Sequence, residues 1–465
     1  MSVFGTPARN VSYFIDPAWD STAIDQWHSA LALWSAVANI TFTQAQDQAS
    51  ADFRLIKLNT SGTGQTFPNL KLSDIGASEV NPPGGGASIT VGTDTAPLNG
   101  LFETPGFQGG DSYFALVHEL GHLIGLGHAG PYNASDDPND PGHLPAQFSV
   151  YDMQLWSILS YVTPYETTAP FFNGYPVTGT GWGTTSDLFV RLPTTPMMLD
   201  ILAAQRIYGR PTDGPLVDGN DVFGFNVHLG DDKVAKSIER YFDFTVNKHP
   251  VITIWDGGFN NTLDLSGWST PSTINLKPGT FSSGNGQINN IGIAFNTIIE
   301  TAKGGEGSDT ITGNAYPNFL FGNGGNDNLN GGPGNDALTG GLGADRFVLG
   351  KISDGVDTFL DFSRIQQDRI ALDHAGFDLG STGTLAQVGV TLVNGSTAQD
   401  SAPTILYSAG DVSWDSDGTG ANPSTLLAHV LTEDPTAIAP GPIMVNAANT
   451  AHVFPQLSSD DFVIV

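Results

Sequence analysis

An eleven-residue segment brings three histidines and a glutamate close together in the chain, in the order H-E-L-G-H-L-I-G-L-G-H. Because a helix places residues four apart on one face, His118 and His122 can direct two imidazole nitrogens at one zinc ion. Gly125 lets the chain leave the helix, and the following turn swings His128 round as the third ligand. Three protein ligands leave one tetrahedral position for water, which distinguishes a catalytic zinc site from a structural one. Glu119, beside the first ligand, is placed to accept that water's proton.

Length and charge restrict the kinds of protein that this chain can be. Its 465 residues suffice for two or three domains. The 17 basic and 47 acidic residues give a net charge of −30, which would repel nucleic-acid phosphates and anionic membrane surfaces. The 57 glycines could indicate disorder, but 39% hydrophobic and 10% aromatic residues are enough to build a core. The excess of carboxylates therefore points to bound cations, and calcium is the hard ion that oxygen ligands prefer.

Cysteine content and hydropathy exclude other arrangements. The sequence contains no cysteine, which excludes disulfides and a thiolate zinc site. No apolar run reaches the length of about 18 residues that a membrane-spanning helix needs. The first residues lack the charged and apolar regions of a Sec signal peptide, so we expect any export signal to lie elsewhere.

The zinc motif is expected to lie in a mixed α and β domain that covers residues 1–215. Apolar residues at helical spacing predict an amphipathic helix at 23–38, and a second such helix precedes a Gly-Arg-Pro break near residue 209. Alternating apolar and polar residues predict the strands. The predicted helices are 23–38, 112–126 and 196–208, the predicted strands are 39–43, 52–56 and 87–91, and the predicted loops are 81–86 and 129–147.

From residue 216 onward the helical periodicity disappears, and a repeat of nine residues occupies positions 304–348. Five consecutive units follow G-G-x-G-x-D-x-U-x, the pattern of a calcium-binding parallel β-roll. The glycines permit tight turns whose carbonyls face an ion, the aspartate supplies charge, and the U residue points inward. The alternative, a flexible Gly/Asn-rich linker, would not keep register with buried-type residues at every U position. These U residues are Ile311, Leu320, Leu329, Leu338 and Phe347.

Each repeat unit makes half a coil, so units 18 residues apart should stack on the same side. Asp309, Asp327 and Asp345 are therefore expected along one edge of the roll. Asn318 and Asp336 are expected along the other edge. Because the second unit has asparagine in place of aspartate, this second edge should bind calcium less well.

The remainder of the chain is harder to interpret. Residues 361–362 and 368–373 are predicted to be strands that continue the roll. The final segment, 460–465, places four apolar residues after two acidic ones, and it is expected to form a last edge strand, which does not exclude a second role.

Taken together, these elements resemble the serralysins, secreted zinc endopeptidases of the metzincin group. The resemblance covers nearly the whole chain and implies an α+β metzincin catalytic domain, then an all-β parallel β-roll with a C-terminal β-sandwich-like extension. It implies a catalytic domain at 1–215 and a calcium-binding domain at 216–465 that ends in a C-terminal secretion signal. Besides the zinc motif and the nonapeptides, the matching segments are Gly130-Pro131-Tyr132-Asn133, Gln205-Arg206-Ile207-Tyr208-Gly209, Val222-Phe223-Gly224-Phe225-Asn226, Trp255-Asp256-Gly257-Gly258 and Asp461-Phe462-Val463-Ile464-Val465.

The resemblance assigns roles around the zinc motif. It implies the three histidines as zinc ligands, Glu119 as general base, and Tyr161 as a residue that can approach the zinc at rest and donate to the oxyanion in the transition state. Leu159 stands where the family has methionine, beneath the metal. Because this side chain packs and does not ligate, and leucine has nearly the volume of methionine, we expect the site to assemble with its zinc affinity or geometry altered.

The resemblance also implies several structural calcium ions. Asn261 replaces the usual aspartate, so its ion should bind more weakly, and Gly219 with Asp221 matches a site at the domain junction. The implied calcium-binding residues are Gly219, Asp221, Asp256, Gly258, Asn261, Glu300, Gly305, Gly307, Asp309, Gly325, Asp327, Gly334, Asp336, Gly343, Asp345, Asp361 and Asp368.

The implied partners are protein and peptide substrates, the type I secretion machinery of Gram-negative bacteria, and a small protein inhibitor. We expect an extracellular monomer whose extended substrate adds a strand near 87–91, which favours broad specificity. Two other functions are compatible with the residues. One is a calcium-binding secreted protein with an inactive catalytic domain, and the other is a hydrolase of non-peptide amides.

Overall fold

The computed structural model describes residues 9–19, 21–58, 75–78, 87–92, 109–130, 147–180, 182, 191–431 and 457–465. The predicted loop at 81–86, most of the loop at 129–147 and residues 131–133 of the family segment lie outside these ranges. The chain forms two compact units: residues 1–261 with 278–298, and residues 262–277 with 299–465. The functional boundary at 215/216 stays a prediction.

The α-helices and β-strands are numbered in chain order. The helices are α1 Ser21–Val37, α2 Gly109–Leu123, α3 Met198–Tyr208, α4 Lys233–Phe242 and α5 Leu385–Val388. The strands are β1 Arg9–Ile15, β2 Ile40–Gln44, β3 Phe53–Leu58, β4 Ile75–Ser78, β5 Ala87–Gly92, β6 Val222–Gly224, β7 Ile252–Ile254, β8 Thr262–Asp264, β9 Thr273–Asn275, β10 Phe281–Ser282, β11 Ile291–Ile293, β12 Thr301–Lys303, β13 Thr310–Thr312, β14 Phe319–Gly324, β15 Asn328–Asn330, β16 Ala337–Leu342, β17 Arg346–Leu349, β18 Asp357–Phe359, β19 Arg369–Leu372, β20 Thr391–Asn394, β21 Thr404–Ser408, β22 Asp411–Asp415, β23 Thr425–Val430 and β24 Phe462–Ile464.

The first unit contains a five-stranded sheet of order β2-β1-β3-β5-β4. Its strands run parallel except β4, which pairs antiparallel with β5. Both sides of β5 are already paired, so the edge near residues 87–91 is formed by β4, and the addition of a substrate strand there stays a prediction. Within the described residues, β2 and β4 are the outermost strands of this sheet.

Helix α1 forms the centre of this unit's core. Trp27, Leu31 and Trp34 on its apolar stripe are buried, as the helical spacing predicts. The indole Nε1 of Trp34 donates a 3.1 Å hydrogen bond to the carbonyl of Val117. This bond ties α1 to α2, the helix that carries the zinc motif.

Helix α4 was not predicted from the sequence. It begins at the N-cap Asp232, whose carboxylate accepts hydrogen bonds from the amides of Val234 and Ala235. Its buried residues, Ala235, Ile238, Tyr241 and Phe242, follow helical spacing and face α1. The expectation that helical periodicity ends at residue 216 is therefore wrong.

The second unit contains the β-roll, as the nonapeptides predict. Strands β9, β13, β15, β17 and β19 pair in parallel in one sheet, and β8, β12, β14, β16 and β18 pair in parallel in another. Pairs such as Ile311 with Leu329 and Leu320 with Leu338 join residues 18 apart. All five U residues are fully buried between the two layers, at 0% exposure.

Strands outside the nonapeptides extend both sheets. Strands β20 to β23 continue the layer that contains β18, with antiparallel pairing between β21, β22 and β23. Strand β24 pairs with β19 and lies at the edge of the other sheet, so the expected last edge strand is present. Residues 361–362 do not form a strand, because β18 ends at Phe359 and the Asp361 carboxylate then accepts hydrogen bonds from the amides of Gly340 and Gly341 near the end of β16. Within the described ranges, none of the helices has the length and apolar character that crossing a bilayer requires.

Candidate zinc site and calcium edges

Three imidazole nitrogens converge at the end of α2. The Nε2 atom of His122 lies 3.1 Å from Nε2 of His118 and 3.1 Å from Nε2 of His128. The Nε2 atoms of His118 and His128 are 3.3 Å apart. Four-coordinate zinc with Zn–N bonds of about 2.05 Å needs neighbouring nitrogens roughly 3.3 Å apart. The spacing of the three rings therefore suits one zinc ion.

The other nitrogen of two of these rings is held by the backbone. Nδ1 of His118 donates to the carbonyl of Ile158, and Nδ1 of His122 donates to the carbonyl of Leu126, both at 2.8 Å. Because a carbonyl can only accept, the proton lies on Nδ1 and each Nε2 presents a lone pair. Such backbone partners are typical of the outer shell of a metal site.

Burial keeps these two rings in the neutral form that binds metal. The pKa of His118 lies well below its usual value because the ring is desolvated, and the nearby His122 and His128 lower it further. Desolvation also lowers the pKa of His122, against the opposing hydrogen bond to Leu126.

The helix ends where the motif requires the chain to turn. Helix α2 stops at Leu123, and Gly125 adopts a φ of +92°, a backbone conformation that favours glycine. The amide of Leu126 donates back to the carbonyl of Gly121 at 3.0 Å. The hydroxyl of Tyr208 on α3 caps the carbonyl of Ile124. The chain thus leaves the helix at a fixed angle, which brings the third histidine to the other two.

Glu119 and Tyr161 both lie in the buried neighbourhood of the histidines. The Glu119 side chain follows directly after the first ligand on α2 and is 5% exposed. The ring of Tyr161 is nearly parallel to that of His118, with centroids 5.7 Å apart, and its centroid is 4.7 Å from that of His128. The ring of Tyr161 therefore lies against the ligand set, while the role of Glu119 stays a prediction.

Asp200 on α3 is a residue of this site that the sequence reasoning missed. Its carboxylate accepts hydrogen bonds from Ser157 Oγ at 2.6 Å, the Ile158 amide at 2.6 Å and the Met197 amide at 2.8 Å. Since the carbonyl of Ile158 accepts from His118, Asp200 fixes the segment that orients the first ligand. Burial raises the pKa of Asp200 to about 6, against the three hydrogen bonds that lower it.

Along one edge of the β-roll, aspartates form a ladder. The amide of Asp309 donates to Asp327 Oδ1 at 2.7 Å, the amide of Asp327 donates to Asp345 Oδ1 at 2.8 Å, and the amide of Asp345 donates to Asp368 Oδ1 at 3.0 Å. The predicted stacking is therefore present, and Asp368 continues it. The Oδ2 atoms of Asp327 and Asp345 are buried and accept no hydrogen bond within the described part of the chain. Buried carboxylate oxygens that accept no hydrogen bond are suitable ligands for a calcium ion.

The turn glycines on this edge leave no room for a side chain. An added Cβ at Gly325 would lie 2.5 Å from the carbonyl oxygen of Gly307, and a Cβ at Gly343 would overlap the carbonyl oxygen of Gly325. The amide of Gly305 donates to Asp309 Oδ2 at 2.6 Å. Backbone carbonyls and carboxylates are thus packed closely, as a cation-binding turn requires.

Electrostatic repulsion and burial disfavour charge on these carboxylates. Desolvation raises the pKa of Asp327 to about 7, and Asp345 and Asp309 raise it further. Desolvation likewise raises the pKa of Asp368 to about 7. A divalent cation at this edge would offset both the repulsion between the carboxylates and the loss of their solvation.

The second edge contains Asn318 and Asp336, as predicted, and continues to Asp357, which the sequence reasoning missed. The amide of Asn318 donates to Asp336 Oδ1 at 2.8 Å, and the amide of Asp336 donates to Asp357 Oδ1 at 3.1 Å. The Gly334 turn, with a φ of +152°, lies on this edge. The carbonyl of Glu300 accepts from the side-chain amide of Asn318 at 3.1 Å.

The two calcium sites predicted in the first unit lie together. The amide of Asp221 donates to Asn261 Oδ1 at 3.1 Å, and Nδ2 of Asn261 donates to Asp256 Oδ1 at 2.9 Å. Gly219 and Gly258 pack backbone against backbone here, and an added Cβ at Gly258 would overlap Gly219. Burial and a hydrogen bond with Asp256 raise the pKa of Asp221 to about 9. Asp221, Asp256 and Asn261 therefore form one cluster and not two.

Several known proteins are similar in sequence to this chain. A family profile described as "Peptidase M10 serralysin C terminal" matches residues 216–389. The chain is 36% identical over 347 residues to "Metalloprotease AprA" of Pseudomonas entomophila (strain L48), covering 74% of this chain and 64% of that protein. It is 29% identical over 301 residues to "Serralysin" of Proteus mirabilis, covering 63% and 54%. It is 35% identical over 390 residues to "Metallopeptidase AprA" of Pseudomonas marginalis, covering 82% and 71%. The chain thus spans between about half and three quarters of the length of these relatives.

Proposed function

Because this chain belongs to the serralysin family, we propose that it is a zinc-dependent endopeptidase that hydrolyses peptide bonds in proteins with broad specificity. The convergence of the three histidine Nε2 atoms, at separations of 3.1 to 3.3 Å, carries this proposal. We assign the catalytic function to a metzincin domain at 1–215 and the calcium-binding function to 216–465.

The residues of the chain have separate tasks in the reaction. His118, His122 and His128 would hold a zinc ion, which when bound lowers the pKa of a water toward neutrality and polarises a carbonyl. Glu119 accepts a proton from the attacking water and returns it to the leaving amine. The Tyr161 hydroxyl donates to the oxyanion as charge develops on the carbonyl oxygen.

The strand order of the five-stranded sheet supports the proposal that the substrate binds as an extended strand. Among the described strands, β4 is outermost and runs antiparallel to β5, so its outer side can accept one more strand. Recognition would then use main-chain hydrogen bonds, which every peptide offers. Broad specificity follows from this mode of binding.

We assign calcium to the roll as a structural cation. Buried carboxylates without cations repel one another, so the roll would be unfolded where calcium is scarce and folded at the millimolar concentrations outside the cell. This coupling suits a protein that crosses the bacterial envelope unfolded through a type I secretion machine and then folds. The terminal segment 461–465 would carry the export signal.

Casein hydrolysis tests the proposed activity. We expect the full chain, loaded with zinc and calcium, to cleave casein at internal bonds, to lose activity with 1,10-phenanthroline, and to regain it with added zinc. The 1,7-isomer, which does not chelate, should leave activity unchanged. Zinc-loaded, folded protein that cleaves neither casein nor other denatured proteins would contradict the proposal and favour an inactive catalytic domain. Cleavage confined to small amides would favour a non-peptide hydrolase.

A further inference from the structure

Hydrogen bonds hold the backbone on both sides of Tyr161. The amide of Val162, the next residue, donates to Ser160 Oγ at 3.1 Å. The carbonyl of Val162 accepts a hydrogen bond from the amide of Gln154 at 2.8 Å. Ser160 and Val162 are both fully buried, at 0% exposure. The main chain at Tyr161 is therefore held in place through its two neighbours.

A buried carboxylate accepts the hydrogen bond of the Ser160 hydroxyl. Ser160 Oγ donates to Asp152 Oδ1 at 2.8 Å, and Asp152 is 1% exposed. A serine hydroxyl has one proton and two lone pairs, so the direction in which it donates also determines where its lone pairs point. Because the proton is directed at Asp152, a lone pair of Oγ remains directed at the amide of Val162. Asp152 thus sets the orientation of the hydroxyl that holds the chain after Tyr161.

Asp152 is itself fixed by the segment that contains it. Its Oδ2 accepts a hydrogen bond from the amide of Phe148 at 2.9 Å, and its own amide donates to the carbonyl of Ser149 at 3.1 Å. Its carbonyl accepts a hydrogen bond from Gln147 Nε2 at 2.9 Å. Both carboxylate oxygens and both main-chain groups of Asp152 therefore have partners. The side chain cannot rotate without breaking buried hydrogen bonds, which makes it a rigid support.

The position of Tyr161 matters because its ring lies against two of the histidines. The ring centroid is 5.7 Å from that of His118 and 4.7 Å from that of His128. In the proposed reaction, the phenol hydroxyl donates to the oxyanion, and such a donor is effective only when it is already in place. A displacement of about 1 Å, even one caused from a distance, can reduce the rate about 10²-fold.

From these contacts we propose that Asp152 is a positioning residue for Tyr161. Through Ser160, it holds the main chain from which the phenol reaches the oxyanion. The inference rests on the role proposed for Tyr161 and deepens it. Asp200 has the corresponding task for the metal ligands, because it holds Ile158, whose carbonyl accepts from the first histidine. Two buried carboxylates therefore fix the two ends of one short segment.

A double-mutant cycle on the full chain, loaded with zinc and calcium, tests the inference. The variants are Ser160→Ala, Asp152→Asn and Tyr161→Phe, together with each of the first two combined with the third. Ser50→Ala is the matched control, because Ser50 Oγ also donates to an aspartate, Asp47, at 3.0 Å, but in an exposed turn. Cleavage of a fluorogenic peptide gives kcat and KM, and circular dichroism confirms that each variant is folded.

We expect Ser160→Ala and Asp152→Asn to lower kcat about 10–100-fold with little change in KM, because a displaced donor weakens only the transition state. When Tyr161→Phe is already present, the same changes should lower kcat less than about twofold, since the hydroxyl that they position is absent. Ser50→Ala should behave as wild type. Equal losses of kcat with and without Tyr161→Phe would show a structural role and overturn the proposal. Wild-type kcat in folded Ser160→Ala would also overturn it.

Fluorine NMR distinguishes failure of this inference from failure of the proposed activity. The protein is labelled with 3-fluorotyrosine, with and without zinc, and the signal that disappears in Tyr161→Phe is assigned to Tyr161. Ser160→Ala should shift or broaden this signal, and Ser50→Ala should not. An unchanged Tyr161 signal in Ser160→Ala overturns the positioning role even if no peptide is cleaved. A changed signal together with wild-type kcat in Tyr161→Phe would keep the positioning role and remove only the catalytic one.

Discussion

The side chain of Leu159 packs directly against the backbone of Gly121, the residue before the second zinc ligand. A Cβ added at Gly121 would lie 3.1 Å from Leu159 Cδ2 and 3.2 Å from the ring of Trp34. The glycine thus allows the turn beneath the histidines to approach the helix closely. Although leucine replaces the methionine expected from the family, the three histidine rings still converge.

Substitutions of Leu159 should show whether the site depends on the volume of this side chain or on its chemical type. We expect Leu159→Met to change the free energy of unfolding by less than about 1.5 kcal/mol and to retain activity, because the two side chains have similar volumes. Leu159→Ala should cost about 2–5 kcal/mol, because it leaves a cavity beneath the site. Urea unfolding of the zinc-loaded protein measures both, with exposed Leu202→Ala as the control. A more than tenfold rise in zinc affinity for Leu159→Met would show that the thioether does more than fill space.

Removing the general base should abolish cleavage and preserve the metal site. Glu119→Gln has nearly the same shape but cannot accept the proton of the attacking water, so kcat should fall about 10²–10⁴-fold or more. Zinc content, measured by elemental analysis, should stay at the wild-type level. Glu166→Gln, outside the ligand set, serves as the control. Substantial casein cleavage by zinc-loaded Glu119→Gln would assign the base to another residue.

The Tyr161 hydroxyl should act on the transition state more than on the bound substrate. In Tyr161→Phe the ring can keep its packing against His118 and His128, while the donor to the oxyanion is lost. We expect kcat to fall about 10²–10³-fold with little change in KM. Tyr151→Phe, at a residue that is 46% exposed, should behave as wild type. A rise in KM with unchanged kcat would instead indicate a role in substrate binding.

Asp200→Asn should loosen the first zinc ligand through the backbone. The variant weakens the three hydrogen bonds that hold Ser157, Ile158 and Met197. Because Ile158 orients His118, we expect zinc affinity to fall about 10–100-fold, as it does when outer-shell partners of a metal site are changed. Competition with a chromophoric chelator measures this. Wild-type affinity in a folded Asp200→Asn variant would restrict Asp200 to a structural role.

The Asp200 carboxyl should make the free energy of unfolding depend on pH. Its pKa is raised to about 6 in the folded protein, against about 3.9 in an unfolded chain, so the folded state binds the proton more tightly. Its stabilising contribution is therefore complete below about pH 4, and it is lost as the pH rises through about 6. The difference in unfolding free energy between wild type and Asp200→Asn should change across this interval and level off above it. Urea titrations of both zinc-free proteins from pH 4 to 8 test this, and a flat difference would contradict it.

Protons should partly replace calcium in the roll. Burial raises the pKa of Asp327 and Asp368 to about 7 and that of Asp357 to about 8. Since these values lie above those of the unfolded chain, the stability of the calcium-free roll should be greatest in acid and should fall as the pH rises through 7 to 8. In excess chelator, the melting temperature of the β-structure followed by circular dichroism should be higher at pH 5.5 than at pH 8. The reverse order would contradict the prediction.

The zinc motif and the nonapeptides could be predicted because each is a local pattern. Eleven residues specify the three ligands, and a period of nine specifies which side chains of the roll are buried. Asp200 could not be predicted in this way, because its partners Ser157 and Ile158 lie 43 and 42 residues away in the chain and meet it only after folding.

Other features had a signal in the sequence that was too weak or too irregular to use. Helix α4 has a capping aspartate and apolar residues at helical spacing, but it is short and lies among β-type segments. Asp357 follows Asp336 by 21 residues, so a search at a fixed spacing of 18 passes over it. The position of β4 at the edge depends on the order of strands in the sheet, and hydropathy patterns do not predict that order.

The hydrogen bonds between the stacked aspartates all run in the same direction along the sequence. The backbone amides of Asp309, Asp327 and Asp345 each donate to a carboxylate that comes later in the sequence, the last of them on Asp368. During synthesis, no coil on this side can be completed until the ribosome has made the coil that follows it. A nascent roll that ends before Asp368 therefore lacks the acceptor for the amide of Asp345.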